Sequence, residues 1–296
     1  MTGPTAPGAS DLSRDGSGRR ARLAAAGFRL ADGTTCRRLT LDGPAADQEW
    51  AAKQAAALPH YESDIDRPSA AVEALYREFE NYIARFLYGR RDLAVLDIGC
   101  GIGGALPPYA GLFDPGRGAG GNAYVGLDPL AGAAARAYPF VQGRLEDLPG
   151  AIEPAFDLFL FATSLDHIHS LAEAAAAVRK LARPGAHAIF WVGLRDSALL
   201  GRTLGATHLQ PLYADLGPIA FLGRWLKLAL YDLPRQYAYF CRQNWRLRHG
   251  RPLDRLHFHY FTSHTVEGAL RTFGDVIDRF APPGGADLFA TVRLPA

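Results

Sequence analysis

One stretch constrains this chain more than any other: Ala94-Val-Leu-Asp-Ile-Gly-Cys-Gly-Ile-Gly-Gly104. Leu93–Ile98 is a continuous apolar run broken only by Asp97, the pattern of a strand buried on both faces of a parallel sheet. Gly99, Gly101 and Gly103 then supply a sharp turn into a following helix, where a Cβ would block a ligand's approach to the backbone. Gly99, Gly101 and Gly104 also satisfy GxGxxG, so a nicotinamide or flavin site must be weighed. Two features disfavour it. Asp97 stands two residues before the first glycine, where it would repel a pyrophosphate and attract an ammonium group. Ala105-Leu-Pro-Pro-Tyr109 carries no glycine packing position beyond Gly104.

The flanking sequence alternates short apolar runs with helical segments. Val72, Leu75, Tyr76, Phe79, Tyr82, Ile83 and Phe86 recur at helical spacing before Gly89-Arg-Arg-Asp92. Further strands are expected at Ala123–Leu127, Phe156–Ala162, Ala186–Val192, Val276–Phe280 and Leu288–Leu294. An Ala-rich helix is expected over Leu171–Leu181, closed by Arg183-Pro-Gly185, and another over Phe261–Phe273 with Ser263 as N-cap. Alternation of this kind argues for a doubly wound, mostly parallel α/β sheet.

Outside this region the sequence is less regular. Residues 1–20 are too polar to order themselves, and residues 21–69 form an extension with a surface hairpin around Asp32-Gly33. The core is expected over 70–194 and 257–296, with 195–256 as a helical lid insertion. That insertion holds ten Lys/Arg against four Asp/Glu, a net +6 in a chain of net +2. Its interleaved aromatics include Tyr213, Phe221, Trp225, Tyr237 and Trp245. Such a lid suits an anionic acceptor with a planar or sugar ring, although packing onto the core explains the aromatics equally well. The overall charge is too small to suggest a nucleic-acid partner. Three scattered cysteines, the absence of a signal-like apolar run and the lack of a membrane span read as cytoplasmic.

VLDIGCGIGG (95–104) resembles the first motif of the class I S-adenosylmethionine-dependent methyltransferases, and YVGLDP (124–129) resembles the second. FVQGRLEDLP (140–149) is similar to the third, with Arg144 where an acid usually follows the glycine. The resemblance implies a seven-stranded Rossmann-like core, S-adenosylmethionine as cofactor and a small-molecule acceptor. It implies cofactor contacts at Asp97, Gly99, Cys100, Gly101 and Gly103, with Asp128 on both ribose hydroxyls and Pro129 beside it. Leu145 and Glu146 would stand near the adenine, and Tyr61 would cover the cofactor. The longer gap from Asp97 to Asp128 is absorbed by a loop insertion at 114–122.

His167 follows the fourth core strand, where a histidine of near-neutral pKa could take the acceptor's proton. His169 could play the same part, and His259 and Tyr260 in Leu256-His-Phe-His-Tyr-Phe261 are further catalytic candidates that would line the acceptor pocket. His257 and His259 have ligand spacing, but Asp254 is the sole acid near them in sequence, so no metal is expected. The reading is methyl transfer, with an oxygen nucleophile on a sugar, lipid or secondary metabolite as first choice. A cofactor-binding protein without turnover and an NAD-dependent oxidoreductase are the rivals.

Overall fold

In the computed structural model, the described residues are 28–41, 70–113, 122–130, 135–153, 155–195, 256–282 and 286–295, with scattered positions in 52–59 and 218–254. Their centre is a sheet of eight strands: β3 (Arg38–Thr40), β4 (Ala94–Ile98), β5 (Ala123–Asp128), β6 (Phe140–Gln142), β7 (Phe156–Ala162), β8 (Ala182–Gly193), β9 (Asp275–Phe280) and β10 (Asp287–Arg293). Their order is β3-β6-β5-β4-β7-β8-β10-β9. All neighbours pair parallel except β10, which runs antiparallel to both β8 and β9. The mostly parallel α/β expectation is met with one strand more than the seven implied.

The extra strand corrects the reading of the N-terminal extension. β1 (Phe28–Arg29) and β2 (Thr35–Cys36) do form an antiparallel hairpin. Asp32 Oδ1 accepts from both the backbone N–H and the hydroxyl of Thr34, and Gly33 takes φ +84°. However, Phe28 is buried in the main core, and Arg38–Thr40 pairs with Phe140–Gln142 as the edge of the sheet. Core structure therefore begins before residue 70.

Two apolar layers cover the sheet. On one face, helix α1 (Ala70–Leu87) sets Phe79, Tyr82 and Ile83 against Val95, Leu158, Trp191 and Phe289. The Tyr82 hydroxyl meets Thr291 Oγ1 at 3.0 Å, fixing α1 across β10. On the other face lies helix α2 (Leu171–Leu181), which buries Ala174, Ala175, Ala177, Val178 and Leu181. Its N-cap, Ser170, accepts from the Glu173 N–H at 3.3 Å. Helix α3 (Pro218–Lys227) lies in the insertion, most of which is outside the described residues, as is the lid reading. Helix α4 (Val266–Arg271) packs Val266 and Leu270 beside α2's layer.

Three local expectations need correction. Among the described residues no α-helix follows the glycine turn; the chain runs into a 3-10 helix at Pro108–Phe113. Pro107 and Pro108 lack N–H donors, which removes two helical hydrogen bonds. Arg183-Pro-Gly185 does not separate helix from strand, because β8 starts at Ala182 and Gly185 sits inside it at φ +81°. The late helix is short and its N-cap is Thr265 rather than Ser263. Thr262 and Thr265 exchange backbone and hydroxyl hydrogen bonds, and these define the turn that enters it.

Candidate active site

Strand order reverses around β4, with β5 and β6 to one side and β7 and β8 to the other. In open parallel sheets a crevice forms at the carboxyl ends of such strands. Here Ile98, Asp128 and Ala162 are the last residues of β4, β5 and β7, and all three line one cleft of about 710 Å³. Its other walls include Gly99, Gly101, Pro129, Leu130, Gly143 to Glu146, and Thr163, Ser164 and His167 to His169.

The glycine turn forms the cleft's floor. Gly99 and Gly101 adopt φ +75° and +80°, a region that L side chains rarely enter. A Cβ on Gly99 would lie 2.4 Å from Ser164 Cβ, whereas one on Gly101 would meet nothing within 4 Å. Gly99 is thus fixed by the β7 loop, and Gly101 faces open space. Ser164, which sequence reasoning passed over, donates to the Ile98 carbonyl at 2.5 Å and clamps the two strand ends together. Its neighbour Thr163 holds a positive φ of 57° in the cleft wall.

Asp128 ends β5 and lines the cleft. Oδ2 accepts from the Gly101 N–H at 2.9 Å and Oδ1 from the Leu130 N–H at 2.8 Å. Burial raises its pKa to about 6, against the opposing effect of those two N–H groups and of Arg136. Pro129, Leu145 and Glu146 also reach the wall. Burial pushes the Glu146 carboxyl up from its ordinary range. Arg144 lines the cleft too, with Nε 3.7 Å from Glu146 and 3.5 Å from Asp147.

Asp97 does not share the cleft. Side chains alternate along a strand, so with Ile98 toward the cleft Asp97 faces the α1 side. There it is fully buried, and its Oδ2 accepts from Tyr109 at 2.9 Å and Tyr124 at 2.5 Å. Burial raises it to about 7, opposed by the two tyrosine hydroxyls and assisted by the Asp128 charge. The predicted grip of an ammonium by Asp97 is therefore corrected: the carboxylate anchors the turn from beneath. Cys100 and Gly103 are likewise outside the cleft wall. Cys100 Sγ packs 3.7 Å from the Tyr138 hydroxyl, and the Gly103 carbonyl accepts from Arg136. Tyr61 lies outside the described residues.

Among the candidate catalytic residues, His167 and His169 line the cleft, whereas His259 and Tyr260 do not. Residues 256–261 form no strand. Instead the N–H groups of Phe258 and His259 both reach the Asp166 carbonyl, at 2.8 and 3.2 Å. His259 stacks on Phe261, and the Tyr260 hydroxyl turns back to Asp254. Burial lowers the pKa of both His167 and His259, so each favours the neutral imidazole. Asp166 and His257, which the sequence did not single out as partners, approach within 3.4 Å beside His167.

Residues 71–277 match the methyltransferase-domain family. The chain belongs to that family. The class I S-adenosylmethionine-dependent recognition made from residues 95–104 and 124–129 holds, and the dinucleotide rival falls. Among curated relatives, the chain is 30% identical over 143 residues to a ubiquinone biosynthesis O-methyltransferase of Alkalilimnicola ehrlichii. That match covers 45% of this chain and 55% of the relative, so the chain spans about half the length of the relative it matches. Among solved structures, the 1,6-didemethyltoxoflavin-N1-methyltransferase of Burkholderia thailandensis, with 1,6-didemethyltoxoflavin and S-adenosylhomocysteine bound, superposes with a TM-score of 0.47 at 18% identity. That alignment covers 86% of this chain and 94% of the other. The N-methyltransferase NodS of Bradyrhizobium japonicum, in complex with S-adenosylhomocysteine, gives 0.40 at 16% identity over 74% and 87%.

Proposed function

We propose that the cleft binds S-adenosylmethionine and that the protein moves its methyl group to an oxygen of a small-molecule acceptor. The observation that carries this reading is Asp128 at the end of β5, facing a cleft floored by two left-handed glycines. An ionised carboxylate offers about four acceptor sites. The Gly101 and Leu130 N–H groups use two, leaving two for the adjacent hydroxyls of a ribose. Leu127, Leu130, Leu145 and Ile168 supply apolar wall for a planar base. Bound there, S-adenosylmethionine supplies a methyl carbon activated by the adjacent sulfonium.

The chain's own groups then have defined tasks. The glycine turn and Asp128 hold the donor, and the closed strand ends keep its position fixed, which is the main source of acceleration in an in-line displacement. His167, neutral and in the wall, accepts the acceptor's proton. The oxygen acceptor is favoured by the O-methyltransferase name of the curated relative. A basic, aromatic insertion points to an acceptor with an anionic or aromatic group. Asp128→Ala should abolish S-adenosylhomocysteine binding in calorimetry. Unchanged affinity would remove Asp128 from this role, and an acceptor screen by mass shift identifies the methylated atom.

A further inference from the structure

We propose that Asp166, His167 and His257 form an open divalent-metal site at the edge of the cleft. Each offers one ligand atom, and these atoms all lie within 4.8 Å of one another. Zinc bound tetrahedrally at about 2.0–2.1 Å sets its nitrogen and oxygen ligands roughly 3.3 Å apart. His257 Nε2 stands 3.4 Å from Asp166 Oδ2, close to that spacing, whereas His167 Nε2 is 3.8 Å from the other oxygen, Oδ1, and His167 also hydrogen-bonds the Leu256 backbone, so its ring must shift a little to ligate. Asp166 Oδ1 is buried and has no hydrogen-bond partner among the described residues.

The supporting contacts are those of a built site. His257 Nδ1 pairs with Asp254 Oδ2 at 2.7 Å, which places the proton on Nδ1 and leaves Nε2 with its lone pair toward Asp166. A carboxylate behind a ligating histidine is the usual device for fixing ring orientation at metals. Asp254 is itself held by the N–H groups of Leu256 and His257 and by the Tyr260 hydroxyl. The Asp166 carbonyl binds the N–H groups of Phe258 and His259, so the β7 loop and the 257–261 segment are tied in register. Lys53 caps the His257 carbonyl at 3.0 Å.

One group competes for the position. Arg195 Nη2 lies 3.4 Å from Asp166 Oδ2 and 3.3 Å from His257 Nε2, a cation where the ion would sit. Its side chain is 37% exposed and can swing to solvent. Two histidines and one carboxylate leave a fourth position open for a water or an acceptor oxygen. A hydroxyl held there loses its proton to water at lower pH, and its oxygen bonds to the methyl carbon as the carbon–sulfur bond breaks. In that state His167 serves as ligand rather than proton acceptor. This use rests on the proposed methyl transfer, whereas the binding site itself does not.

The test is calorimetric titration of the chelator-stripped 296-residue chain with zinc chloride. One site per chain is expected, weakened at least tenfold in His257→Ala and about 10–100-fold in Asp254→Asn, the change typical of a lost supporting carboxylate. Arg195→Ala should bind at least as tightly as wild type. If only Arg195→Ala binds, the site stands with Arg195 as its gate. Absence of binding in both wild type and Arg195→Ala overturns the proposal. So does binding that His257→Ala leaves unchanged. Titration of the same variants with S-adenosylhomocysteine separates the two readings, because His257→Ala should retain nucleoside binding.

Discussion

Replacing Asp97 by Asn should convert a pH-dependent stability cost into a constant one. The Asp97 carboxyl titrates at about 7 in the folded chain against an ordinary 3.8, chiefly through burial. The folded state therefore binds this proton more tightly than the unfolded state. Its contribution is fully present below pH 3.8 and is lost as pH rises through about 7. At about 1.36 kcal/mol per pKa unit the whole loss is about 4 kcal/mol, of which about 2 kcal/mol falls between about pH 5 and 7. Asn keeps the shape and removes the titration. Its Oδ1 can accept from both Tyr109 and Tyr124, while its NH2 replaces an oxygen that has no hydrogen-bond partner among the described residues. That unmade donor costs about 1–3 kcal/mol at every pH. Urea or thermal unfolding of both proteins across this range should show the variant gaining about 2 kcal/mol on wild type from about pH 5 to 7. At roughly 2–4 °C per kcal/mol, the gap in Tm moves by about 4–8 °C. A gap that stays constant with pH refutes the argument that Asp97 is buried as a strained carboxylate.

Other substitutions test the cleft. Gly99→Ala combines a left-handed φ with a Cβ 2.4 Å from Ser164, and should lower Tm as well as S-adenosylhomocysteine affinity. Gly101→Ala meets nothing within 4 Å, so strain of about 1–3 kcal/mol is its main cost, and calorimetry should show a folded protein with weakened binding. His167→Gln, assayed with an acceptor and no added metal, should lower kcat by about 10²–10⁴-fold with nucleoside affinity within a few-fold of wild type. Because burial depresses the His167 pKa, the acid limb of the wild-type rate should fall below the ordinary value of 6.5 and vanish in the variant.

Much of the fold was legible because it is encoded locally. Phe156–Ala162 and Leu171–Leu181 occupy the segments that apolar runs and helical spacing indicate. The glycine turn could be read because its backbone angles tolerate few other residues. The same logic misled where local signals competed: Pro107-Pro108 overrode the expected helix, and Arg183-Pro-Gly185 was absorbed into β8. Arg38–Thr40 is too short to announce itself as a strand, and only pairing with β6 makes it one.

By itself, the sequence determined a strand ending in a glycine turn, an acid closing the next strand and the family those residues mark. Tertiary structure decided which carboxylate serves the cleft, since strand alternation sends Asp97 under the sheet while Asp128 reaches the wall. It also brought Asp166 to His257, a contact between distant segments that no local spacing encodes. Local preferences follow from each residue's own backbone and neighbours. The meeting of side chains remote in sequence depends on how the whole sheet packs, and that is settled when the core closes.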